Sequence, residues 1–170
     1  MHEDRKQVEE RLERAVRERI RPATYAATTP LELAVWGVPG EPVPVSAALA
    51  ADYEPFKTGT RWGAPWSTSW FRATGEVPAE WAGRRVEVVL DLGFVGDWPG
   101  NQAEALVHDL AGRPLKGVEP RNQYVPVANP AAGGERVGLL IEAAANPDIL
   151  ANGFLPTPLG DRLTAGDQPL

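Results

Sequence analysis

The side chains able to do chemistry are few and widely spaced. Imidazoles are limited to His2 and His108, one at the amino terminus and the other in a strand-like run. A zinc site built from this chain would therefore lack the clustered ligands that tetrahedral coordination needs. Ser46, Ser67 and Ser69 have no histidine near them in sequence, and no GxSxG elbow marks a nucleophile. No GxGxxG or Walker A run offers a phosphate cradle. Carboxylates are plentiful but scattered. Asp91, Asp97, Glu104, Glu119 and Glu142 could supply an acid and a base only if two of them stand at the separation glycoside cleavage requires, and carboxylates are mostly solvated.

The aromatic side chains offer more. The run YEPFKTGTRWGAPWSTSWFR from Tyr53 to Arg72 holds three of the six tryptophans. Trp62, Trp66 and Trp70 are four apart, as on one helix face, but Gly63 and Pro65 lie between them and break a helix. The run therefore reads as a loop feeding a strand, and a flat ring on a pinned loop suits a sugar face or a partner surface. Trp62 and Trp66, flanked by Gly and Pro, are the candidates for such contacts. Trp36 and Trp70 sit in strand-like runs and read as core rings, and Trp81 as a ring closing one end of the fold. Arg121, Asn122 and Asn146 are the polar groups to watch; the ordinary role of each is a hydrogen bond that steadies a loop.

The elements that must position these residues begin with a helix from Glu3 to Arg21. Val8, Leu12, Ala15, Val16 and Ile20 recur on one face, charges fill the other, and Pro22 supplies the stop. Glu10 with Arg14 and Glu13 with Arg17 have the favourable i,i+4 order. Beyond Pro22 the period changes to two. Leu31 to Val35, Val86 to Leu92 and Val137 to Ile141 alternate as half-buried strands, with weaker candidates at Thr68 to Gly75, Ala103 to His108 and Gln123 to Val127. Ser46 is placed to cap a short helical turn through Ala47 to Ala51. Seventeen Gly and seventeen Pro call for frequent turns. The predicted fold is mainly β: an antiparallel β-sandwich of the jelly-roll or galactose-binding-like kind, preceded by an amphipathic helix. The expected organisation is a helix over residues 1–22 packed on the sandwich or a partner, the sandwich over 23–145, and a loop or linker over 146–170, where the periodicity is lost.

Composition limits the partners. With 170 residues and 43% hydrophobic side chains, one ordinary core is expected. A net charge of -6 argues against nucleic acid or an anionic membrane. No run has the apolar length of a membrane span, and the charged start lacks the apolar stretch of a signal peptide. With neither signal, the expected location is the cytoplasm, and the absence of cysteine is compatible with a reducing compartment.

Several ordered motifs carry a family resemblance: ERLERAVRERIRP from Glu10 to Pro22, the block from Glu54 to Arg72 that ends in WFR, VPAEWAGRRVEVVLDLGF from Val77 to Phe94, GRPLKGVEPRN from Gly112 to Asn122, and EAAANP from Glu142 to Pro147. Together they resemble the amino-terminal region of bacterial α-mannosidases of glycoside hydrolase family 38, closest to the cytosolic branch, in which a β-sandwich precedes the catalytic barrel. The resemblance implies a parent enzyme that retains configuration, uses an aspartate nucleophile and a carboxylic acid proton donor, and holds a divalent metal, usually zinc, in the catalytic domain. The HxHxD and AWLW stretches of that domain are not in this sequence, so no catalytic residue carries over and no cofactor is expected in these residues. What the resemblance implies is a catalytically silent domain that docks on the catalytic part of the same polypeptide, supports the substrate cleft or assembles the enzyme as a homo-oligomer, with mannosides as the parent's substrates. Two other readings remain: a stand-alone carbohydrate-binding module, and a structural domain whose charged helix mediates oligomerisation.

Overall fold

The structure is a computed structural model, and it describes residues 3–96, 102–147 and the backbone of 168–169. It divides into two compact units, residues 1–30 and 31–170. The first holds α1 (Glu3–Ala15), a π-helical turn over Val16–Ile20 and a 3-10 turn over Arg21–Ala23. The helical path thus outlasts Pro22, because a proline at the start of a turn has no N–H to lose from the hydrogen-bond ladder. Arg5 with Glu9 at 2.7 Å and Lys6 with Glu10 at 3.9 Å are among its ion pairs.

The second unit is built of strands: β1 (Glu32–Gly37), β2 (Glu54–Phe56), β3 (Arg61–Trp62), β4 (Ser67–Glu76), β5 (Val86–Val89), β6 (Ala103–Asp109), β7 (Pro114–Val118), β8 (Tyr124–Ala128), β9 (Arg136–Ala145) and β10 (Gln168–Pro169), with α2 (Val45–Ala50) between β1 and β2. Six of them form an antiparallel sheet in the order β2-β1-β4-β9-β6-β7, while β5 pairs with β8 and β3 with β10. The chain leaves the large sheet after β4 for β5 and returns as β6; it leaves again after β7 for β8 and returns as β9, between β4 and β6. Such crossing suits a sandwich whose strands present alternate residues to a shared interior.

The interior follows from that alternation. Phe71 and Ala73 on β4, Leu139 and Ile141 on β9, and Ala105 and Val107 on β6 are buried together with Val86 and Val88 of β5 and Val125 of β8. The intervening residues of the large sheet face outward, where a smaller apolar cluster forms: Trp70 and Leu140 are fully buried with Val38 and Ala48, and Trp36, Val45 and Tyr53 pack against them. Tyr53 ties this layer down, its hydroxyl donating to the Ala48 carbonyl at 3.0 Å and its ring lying 4.3 Å beneath the Arg72 guanidinium. Burial pushes the Tyr53 phenol pKa up, and Arg72 opposes that.

Other details of the sequence reading change as well. Helix α2 starts one residue before Ser46, with Pro44 at the cap and its carbonyl accepting from Ala47 N–H at 2.9 Å. Ser46 is inside the helix and does not cap it. The alternation also does not announce β7, nor β2 and β3 within the run read as a loop. The linker expected over 146–170 lies outside the described residues, apart from Asn146, Pro147 and the backbone pairing of 168–169 with β3.

Candidate functional site

The register gathers most of the singled-out residues at one end of the large sheet. Ser67 pairs with Ala145, and Ala145 pairs with Ala103, so the start of β4, the end of β9 and the start of β6 lie level. Ala105 pairs with Val118, which brings the turn after β7 to the same level. Trp66, Asn146, Arg121 and Asn122 therefore share this end. Three strand spacings separate the Trp66 position from the turn, about 14 Å, too far for a single sugar ring to touch both.

Trp66 is held there by backbone geometry. Gly63, with φ of +61°, passes so close to β9 that a Cβ on it would stand 2.8 Å from the Ala145 Cβ. The chain then turns through Ala64 and Pro65; Ser67 donates to the Ala64 carbonyl through its N–H at 3.0 Å and its hydroxyl at 2.5 Å, and Trp66 N–H donates to the Ala145 carbonyl at 2.7 Å. Trp66 itself has φ of +64°, the left-handed conformation that costs a residue with a Cβ roughly 1 kcal/mol. The residue is 43% exposed. The segment thus spends conformational energy to present an indole to solvent.

Trp62 goes the other way. It is 4% exposed, its ring meets Phe71 edge-on at 5.4 Å between centroids, and its Nε1 donates to the Leu92 carbonyl at 3.2 Å. The ring expected at the surface is a core ring with its polar atom satisfied, and it has no face to give a sugar. A two-residue strand, β3, aims it inward.

The polar companions are tied into loops. Asn122 N–H donates to the Glu119 carbonyl at 2.9 Å and its Nδ2 to the Gly117 carbonyl at 3.3 Å, closing the turn between β7 and β8. Arg121 is exposed on that turn. Asn146 is half-buried, its N–H bonded to the Gln102 carbonyl at 2.7 Å. Gln102 is a buried polar residue at this end that the sequence does not reveal, because nothing around it distinguishes it from a loop glutamine.

The groups weighed for acid and base chemistry are dispersed. Asp91 accepts from Gly93 N–H at 2.9 Å and Phe94 N–H at 3.2 Å. Glu119 sits in the β7–β8 turn, Glu104 stands exposed on β6, and Asp97 lies outside the described residues. Buried His108 has its Nε2 3.5 Å from a Glu142 carboxylate oxygen and its ring 5.3 Å from that of Trp70, in the outer cluster. Among the described residues no three His, Asp or Glu side chains converge to hold a metal ion. No helix among them is long and apolar enough to cross a membrane.

Comparison with known proteins fits this architecture. No curated protein matches the chain. A family model does, the jelly-roll domain of α-mannosidases, over residues 29–162, a span that begins after the amino-terminal helical segment. The chain belongs to the family of α-mannosidase jelly-roll domains.

Proposed function

We propose that this domain is the non-catalytic amino-terminal part of a retaining α-mannosidase, and that the sheet end carrying Trp66 faces the catalytic part of the same polypeptide. The observation that carries the reading is Trp66: an exposed indole held at a strained backbone angle by a bond to the last residue of β9, in a domain whose family is named for the enzyme. Strain of this kind is retained where the ring is used, and an aromatic ring with solvent on one side is the usual anchor of a protein contact. Arg121, Asn122 and Asn146, at the same level, would form the polar rim around it.

On this reading the hydrolysis belongs to the catalytic part. A carboxylate pair there forms and breaks a glycosyl-enzyme intermediate, with a divalent metal, zinc by resemblance, helping to orient the sugar. The described residues of this chain contribute no ligand to that metal and no proton transfer. They wall or steady the cleft in a cytoplasmic, homo-oligomeric enzyme acting on terminal α-mannosides.

The test is Trp66→Ala in the enzyme that carries the domain. KM for an α-mannoside rises several-fold, or the assembled mass falls, while the sandwich stays folded. Unchanged kinetics together with unchanged mass would contradict the proposal. The exposed indole also favours a second reading, a carbohydrate-binding module. Saturable binding of mannose or mannobiose by the isolated domain, lost on Trp66→Ala, would select it.

A further inference from the structure

The amino-terminal helical unit carries an apolar seam that the sandwich reading does not use. Val8, Leu12, Val16 and Ile20 are 51%, 61%, 38% and 60% exposed. One exposed aliphatic side chain is unremarked on any protein surface; four in register are a contact face. Spaced four apart on a straight α-helix, they would creep round the axis by about 40° per step, because a turn takes 3.6 residues. The π-helical turn over Val16–Ile20 reverses the creep at its last step. Its hydrogen bonds skip to the fifth residue, the turn is wider, and four residues fall short of a full revolution. Ile20 is thereby turned back towards Leu12, and the four side chains stay on one broad apolar stripe, roughly 80° wide and 18 Å long.

The charges beside the seam indicate what it meets. Residues 3–13 hold five acids and three bases, a net of -2, whereas residues 14–21 hold four bases and one acid, a net of +3. This polarity complements the helix dipole, but the dipole gives no reason for an exposed apolar seam. A second copy laid parallel would set like halves together. Laid antiparallel, it sets each acidic half beside a basic one and brings Val8 of one copy over Ile20 of the other. We infer that α1 and its π-helical turn form an antiparallel pairing surface for the same segment of a second copy of this chain. The inference is independent of the role given to Trp66. The seam is short, so its buried area is well below the roughly 1,200 Å² of a stable protein interface, and the pair forms at high protein concentration.

The test uses the whole 170-residue chain, whose lack of cysteine makes cross-linking clean. In sedimentation equilibrium the mass rises with concentration from 18.4 kDa towards twice that value, and Leu12→Glu holds it at the monomer. Mixed Val8→Cys and Ile20→Cys chains, oxidised together, form the heterodisulfide several-fold in excess of either homodisulfide. A monomer at every concentration, as a helix covered by some other domain would give, overturns the inference. So does a dimer that survives Leu12→Glu, or an excess of the Val8→Cys homodisulfide, which would mean a parallel pair.

Discussion

Two tryptophans four residues apart, in the same Gly- and Pro-rich setting, have opposite roles, and the difference lies in the backbone. Trp62 is in a strand that aims it into the interior; Trp66 follows a turn that only a left-handed residue completes. Local composition marked both as candidates, since neither the strand's two-residue length nor the sign of a φ angle is written in it. Their substitutions should diverge. Trp62→Ala leaves a cavity beside Phe71 and orphans the Leu92 carbonyl bond, costing about 3–5 kcal/mol. Trp66→Gly removes exposed area and relaxes the backbone, so stability is unchanged or rises by up to roughly 1 kcal/mol. Urea unfolding of both variants checks the contrast; equal losses would place both rings in the core.

At the scale of elements, period-two alternation announced β1, β4, β6 and β9, because each has one face in the interior. The strand β7 escaped it: Pro114, Lys116 and Gly117 leave Val118 as its single buried residue, and its pairing with β6 contains a register shift. Sheet order was not legible at all, being set by contacts between segments distant in sequence. Turns make their own contribution. In the β6–β7 turn, Asp109 Oδ1 accepts from Ala111 and Arg113 N–H at 2.9 Å each, and Oδ2 receives Arg113 Nε at 2.7 Å. These bonds, the Arg113 N–H foremost, hold its carboxyl below the ordinary aspartate value of 3.8. A lowered folded pKa means the stabilisation is fully present above that ordinary value and is lost as pH falls through the folded one. Wild type should therefore lose urea resistance more steeply than Asp109→Asn on acidification below about pH 4. Parallel curves would show that the turn is indifferent to the charge.

For the whole molecule, the strand pattern and the ordered motifs implied a mainly β sandwich of the α-mannosidase jelly-roll family, and the antiparallel sheets and the family match agree with it. The face such a domain turns to its enzyme was less legible, because it depends on which strand ends the register brings level. That register puts Trp66, Asn146 and the Arg121–Asn122 turn together at one end. The measurement that bears most directly on this account is hydroxyl-radical footprinting at Trp66, comparing the isolated chain with the full α-mannosidase that carries it. The account predicts that Trp66 labels readily in the isolated chain and several-fold less in the enzyme; equal labelling in both would mean that its ring meets no neighbour, and the docking role would fall.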